Sequence, residues 1–308
     1  MTWSCDDIGD LSGTTAVVTG PSLGGIGWHT ARELAGHGAR VVLAGRSWSR
    51  LDTAAEAIAA EVPEAAIERV HLDLADLRSV RAAAEAIEDA AYELGAPLRL
   101  LINNAGVMAT PERRTVDGLD LQLATNHFGP FLLTGLLFGS LAEHDGRVVT
   151  VSSVMHRMAR QAPLTYPTVA VGRYSRWGVY ARSKLANLLF TYELDRRARA
   201  AGLRARALAS HPGYADTQLI ANGPMATGRF SRVGRRVSAA FAQPAERGAW
   251  PTLMAATADL ASGTYVGPGA FGLGGAPAPA ASTRLSHDPA AARALWRLSE
   301  QTTGLAYP

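Results

Sequence analysis

Over the first 210 residues, short apolar runs alternate with longer stretches whose apolar positions recur at helical spacing. The strand candidates are Ala16–Val18, Val41–Leu43, Val70–Leu72, Leu98–Ile102, Val148–Val151 and Ala205–Leu208. They are aliphatic with little polar alternation, as strands buried on both faces are. The helix candidates between them are Ile26–His37, Leu51–Ala60, Leu77–Tyr92, Gly118–Ala142 and Val179–Ala201. Repetition of strand, helix, strand predicts an α/β fold, a doubly wound parallel sheet in three α/β/α layers. No linker interrupts the pattern, so a single domain over 1–308 is expected. After Gly213 the rhythm breaks. Residues about 217–243 read as an irregular or helical excursion that would cover the substrate, and a C-terminal extension runs from about 267 to 308. In that part a helix is expected from about Pro244 to Ala258, a short strand near Tyr265, loop over 267–282 and a closing helix over Pro289–Thr302.

Composition narrows the class without naming it. With 47% hydrophobic and 19% charged residues in 308, the chain reads as an ordinary globular protein. Met1–Asp10 carries three aspartates and no apolar core, and the longest apolar stretch, Phe128–Ala142, is too short and glycine-containing to span a bilayer. The lone Cys5 fits a reducing compartment. The expectation is therefore a cytoplasmic protein with no membrane partner. The sequence pI is near 9.2, but the arginines are dispersed with no aromatic platform among them, so no nucleic-acid partner is expected. Of the 30 basic residues all but Lys184 are arginine, a bias like that of a GC-rich bacterial genome, and it makes the one lysine conspicuous.

Three motifs carry chemistry. Thr19 to Gly27 is glycine-rich, follows a strand and opens a helix. Gly20, Ser22, Gly25, Ile26 and Gly27 would let the backbone approach a pyrophosphate at the positive end of the helix, although a plain strand-to-helix turn also wants glycine. Together with the predicted sheet this implies a Rossmann-type dinucleotide site. The second strand ends Leu43-Ala44-Gly45-Arg46, with an arginine where a carboxylate would bind a ribose 2′-hydroxyl. A guanidinium pairs with a 2′-phosphate, so NADP(H) is preferred over NAD(H). Tyr180 and Lys184 sit four apart on a helix, sharing a face where the ammonium would lower the phenol pKa. A lysine placed at random falls four after one of the eight tyrosines roughly one time in forty.

With these residues in order, the chain resembles the short-chain dehydrogenases/reductases from about Leu11 to Gly213. The nearest likeness is to the retinol dehydrogenase-like branch and its soluble bacterial members, carried by Ser183–Phe190, His211–Ala215 and Leu295–Glu300. The resemblance implies that Asn104, Ala105 and Gly106 support the adenine side of the cofactor, and that Asp73 and Leu74 contact the adenine ring. It implies that Asn126 holds a water linked to Lys184, that Ser153 is catalytic beside Tyr180 and Lys184, and that Pro212, Gly213 and Thr217 close over the nicotinamide. Tyr180 and Lys184 also touch the cofactor in that scheme. The glycine loop departs from the family pattern by one extra residue.

The expected activity is NADP(H)-dependent interconversion of a carbonyl and an alcohol on a hydrophobic or aromatic small molecule, with Tyr180 as general acid/base and no metal. Secondary metabolism is a plausible setting for it. His156, Trp177 and Tyr214 are expected to line the pocket. The alternatives are a non-redox dehydratase, isomerase or cyclase on the same scaffold, or an NADP(H)-sensing binding protein. The family also implies homodimers or homotetramers.

Overall fold

The computed structural model describes residues 2–161, 174–213, 243–270, 272 and 274–308. An eight-stranded sheet runs in the order β3-β2-β1-β4-β5-β6-β7-β8. The strands are β1 (Thr15–Thr19), β2 (Arg40–Gly45), β3 (Ile67–His71), β4 (Leu98–Asn103), β5 (Arg147–Val151), β6 (Arg206–Ser210), β7 (Tyr265–Ala270) and β8 (Gly274–Pro279). All pairings are parallel except β7 with β8. Chain order reverses on either side of β1, which places a crevice at the carboxyl ends of β1 and β4.

Strand alternation assigns the two faces. Ala16 and Val18 point to one side with α1 (Ile26–Gly36), α2 (Trp48–Glu61) and α6 (Ala245–Thr257). Val17 points to the other with α3 (Leu77–Glu93), α4 (Gly129–Glu143), α5 (Arg176–Ala200) and Trp296 of α7 (Pro289–Thr303). The doubly wound α/β/α expectation is met.

Three local expectations are corrected. The third strand spans Ile67–His71, starting three residues and ending one residue before its apolar cluster, because as an edge strand it buries little. The predicted helix Gly118–Ala142 begins at Leu121, after Asp120 accepts hydrogen bonds from the Gln122 and Leu123 N–H groups. It passes through a π-helical stretch, Ala124–Phe128, before α4. Residues 267–282, expected as loop, contain the end of β7 and all of β8. Their Gly-Ala-Pro composition has low strand propensity, and pairing in an antiparallel hairpin overrides it. Among the described residues, no helix is long and apolar enough to cross a membrane.

The C-terminal helix is fixed by aromatic packing. The Trp296 ring lies 5.8 Å from Phe190 and 5.0 Å from Phe131, and Tyr307 donates from its hydroxyl to the Phe131 carbonyl at 3.0 Å. Gly135 has no Cβ where one would meet the Tyr307 ring at 2.5 Å, which lets the tail approach α4.

Candidate active site

The glycine loop leaves β1 through Gly20 at φ 66°, and a Cβ there would strike Ala105 at 2.9 Å. A Cβ on Gly27 would stand 2.3 Å from Asn104 Nδ2 and 3.0 Å from the Gly20 carbonyl. Asn104 in turn donates from Nδ2 to the Thr19 carbonyl at 2.8 Å, and the Thr19 hydroxyl accepts from the Asn104 and Ala105 N–H groups at 3.0 Å each. The Asn104 side chain therefore braces the glycine turn. Gly24 adopts φ 70° with nothing within 4 Å of a would-be Cβ, a backbone conformation that favours glycine. Gly25 begins α1 with no side-chain cap on the first-turn N–H groups, an arrangement that fits a pyrophosphate. Arg46 is exposed at the end of β2. Asp73 is half-buried, its carboxylate accepting from the Ala75 N–H at 2.9 Å, and Leu74 is buried against Gly129.

The catalytic candidates converge at the carboxyl ends of β4 and β5. Ser153 follows β5 and opens a 3-10 turn, Val154–Met158, accepting from the Met155 N–H at 3.2 Å. It is thus a helix cap, but its hydroxyl also hydrogen-bonds the Tyr180 phenol and lowers that group's pKa. Burial outweighs this and pushes Tyr180 up to about 12. The Lys184 ammonium lies 5.8 Å from the Tyr180 ring centroid and donates to the Val151 carbonyl at 3.0 Å. Burial pulls it down to about 8. The expected proximity is present, but the expected downward shift of the phenol is not, because desolvation dominates both groups.

Asn126 lies in the π-helical stretch, a feature frequent at functional sites. Its carboxamide bonds the protein through both atoms. It accepts from the Val107 N–H at 2.8 Å and donates to the Val107 carbonyl and the Ser183 hydroxyl, each at 2.9 Å. Its side chain therefore locks the loop after β4. Gly106 joins the pair, since a Cβ there would lie 3.1 Å from Asn126 Oδ1 and 3.4 Å from Lys184 Nζ.

Trp177 stands beside Tyr180, the two rings at 6.3 Å and 82°. His156 is placed differently from expectation: it is 1% exposed with both ring nitrogens bonded to the protein, so it packs behind Ser153 and lines no open pocket. Pro212 and Gly213 follow β6, Gly213 at φ 69° with its N–H on His211 Nδ1 at 3.2 Å. Tyr214, Thr217 and nearly all of the 217–243 cover lie outside the described residues. Sequence reasoning passed over Asn187, whose Nδ2 shares the Val151 carbonyl with Lys184 at 3.1 Å. Its place three residues after Lys184, on the same helical face, was the available signal.

Burial holds His211 at about 4 and His127 at about 3, well below the ordinary histidine value of 6.5. Below pH 6.5 the unfolded chain binds protons that the folded one refuses, so these two groups make stability fall from pH 6.5 toward 4. Thermal unfolding between pH 7 and about 4.5 should show a falling midpoint. A flat profile would contradict their neutral burial.

The family described as short chain dehydrogenase matches residues 14–225. The chain belongs to the short-chain dehydrogenase family. Among its curated relatives, retinol dehydrogenase 12 of Bos taurus is 41% identical over 68% of this chain and 64% of its own length. Retinol dehydrogenase 12 of Homo sapiens is 38% identical over 81% of this chain and 75% of its own. The chain thus spans under two thirds of the bovine relative, and this short-chain dehydrogenase is retinol dehydrogenase-like in sequence. A crystal structure of an uncharacterized protein from Mycobacterium Paratuberculosis is 41% identical, covers all of both chains and has a TM-score of 0.81. A metagenomic blue fluorescent protein solved in complex with NADPH is 27% identical over 83% of this chain and 96% of its own, with a TM-score of 0.62.

Proposed function

We propose that this short-chain dehydrogenase is an NADP(H)-dependent oxidoreductase that interconverts a carbonyl and an alcohol on a hydrophobic or aromatic small molecule. The observation that carries the reading is the convergence of half-buried Ser153 with buried Tyr180 and Lys184 at the C-terminal end of β5 and the first turns of α5. The cofactor supplies or takes up the hydride. Its pyrophosphate would rest on the first turn of α1, over Gly20, Ser22, Gly25, Ile26 and Gly27. Asp73, Leu74, Asn104, Ala105 and Gly106 would flank its adenine side, and Lys184, Pro212, Gly213 and Thr217 its nicotinamide side.

In the reducing direction Tyr180, protonated at neutral pH because burial raises it, gives its proton to the carbonyl oxygen. Ser153 donates a hydrogen bond to that oxygen and holds it at the phenol. Lys184, beside the ring and anchored on Val151, supplies positive charge as the phenolate forms. The aromatic face of Trp177 beside Tyr180 favours an apolar substrate surface. A small-molecule partner in a cytoplasmic setting fits this chemistry.

The test is consumption of NADPH and of NADH, followed by nicotinamide absorbance, against a panel of aromatic ketones, quinones and aldehydes. NADPH consumption with a defined carbonyl supports the reading, and tight NADPH binding with every carbonyl refused removes it. The NADP(H) preference rests on Arg46, exposed where a 2′-phosphate would lie. Arg46→Glu should weaken NADPH binding by about tenfold to a hundredfold and leave NADH near its original affinity, because a carboxylate repels the phosphate and one charge-assisted bond is lost. Equal losses for both cofactors would remove Arg46 from the phosphate site.

A further inference from the structure

We infer that His156 is a positioning residue that holds Ser153 in register by bridging it to the C-terminal segment around Thr283. The inference rests on the reading of Ser153 as the residue that binds the substrate oxygen.

His156 sits in the 3-10 turn that Ser153 opens. Its Nδ1 is 2.6 Å from the Ser153 carbonyl, and its Nε2 is 3.3 Å from the Thr283 backbone nitrogen, 127 residues away in sequence. A backbone N–H only donates, so Nε2 accepts and the ring proton resides on Nδ1, where it donates to Ser153. The two contacts fix one neutral tautomer. The same Ser153 carbonyl also takes the His156 backbone N–H at 3.0 Å, so it is held by two donors from one residue. The ring is 1% exposed and stands edge-on to Tyr265 at 5.8 Å and 87°, which leaves it no freedom to swing into the cleft. Arg157 adds a parallel tie, donating to the Ala281 carbonyl at 2.9 Å. The catalytic turn is therefore clamped by a segment far along the chain. Burial, aided by the Arg157 charge, outweighs the Ser153 hydrogen bond and favours the neutral imidazole that its accepting role requires.

The experiment compares His156→Leu, His156→Asn and His156→Gln, each also in a Ser153→Ala background. An asparagine amide nitrogen stands where Nδ1 stood and still reaches Ser153, whereas a glutamine reaches only toward Thr283. His156→Leu should lower kcat about tenfold to a hundredfold with KM for NADPH unchanged, the effect of a small misplacement of a reacting group. His156→Asn should recover most of that loss and His156→Gln should not. In the Ser153→Ala background His156→Leu should cost nothing further. An unchanged kcat in His156→Leu, or the same loss with Ser153 absent, overturns the inference. If His156→Leu fails to fold, the asparagine–glutamine comparison decides in its place. Nitrogen-15 NMR of histidine-labelled wild-type protein gives a readout without turnover. It should show an Nδ1-protonated ring that vanishes in His156→Asn, and loss of an Nε2-protonated ring in that variant instead overturns the clamp. Turnover that survives Tyr180→Phe, by contrast, counts against the proposed function and leaves the tautomer result standing.

Discussion

Tyr180→Phe is expected to lower kcat by roughly 10²–10⁴-fold, the contribution typical of a positioned acid or base. Phenylalanine keeps the ring that packs 6.3 Å from Trp177 and removes only the hydroxyl, so the fold and NADPH affinity should persist. The hydroxyl lost is the one that Ser153 bonds, and its removal costs about 0.5–1.5 kcal/mol of stability, the ordinary net worth of a neutral hydrogen bond. The pH dependence has a defined sign. With the phenol held up near 12, it is protonated throughout the neutral range. Reduction should therefore be flat in pH up to the alkaline side, while oxidation, which needs the phenolate, should rise with pH. Steady-state kinetics in both directions on wild type and variant check this. Retention of more than about a tenth of wild-type turnover would exclude Tyr180 as the proton donor.

The second large effect is on stability. Trp296→Ala should destabilise the fold by about 3–5 kcal/mol, the usual cost of truncating a large buried aromatic side chain. Trp296 is 1% exposed and packs on Phe131, Phe190 and Tyr307. The Arg197 guanidinium lies 4.4 Å over its ring, and its indole N–H donates to Glu300 at 2.9 Å. For a chain of this size the unfolding midpoint should fall by about 10 °C. Cofactor affinity should hardly change, because the cluster lies behind α4 and α5, away from the glycine loop. Calorimetry with NADPH titration separates the two effects, and a loss under about 1 kcal/mol would mean that α7 is not part of the core.

Much of this architecture was legible in the sequence, for identifiable reasons. Val17, Leu101 and Val149 lie in runs with little polar alternation, as strands covered on both faces do. The Gly20–Gly27 turn and the Tyr180–Lys184 pair were visible because backbone proximity and helical spacing leave local traces. What was hidden depends on distant partners. Pro277 gives no strand signal and acquires one only by pairing with Pro268. The π-helical stretch at Asn126 differs from an α-helix by a single residue per turn, a shift that periodicity over so short a span does not reveal. His156 looked like an aromatic available to a substrate until the fold brought Thr283 to it.

Among the described residues, the sheet ends in two strands that each have only one neighbour, β3 and β8. Such rows of unmet amides invite another chain to add on. Here the two rims are blunted by different chemistry. On β8, Pro277 and Pro279 remove donors outright, so a recruited strand would meet gaps in the ladder. On β3, Glu68, Arg69 and His71 bring ionisable side chains to the rim, which an incoming strand would have to desolvate. The protein therefore carries its own protection against fibrillar growth at both rims, and concentrated solutions should stay clear without a partner to cap them.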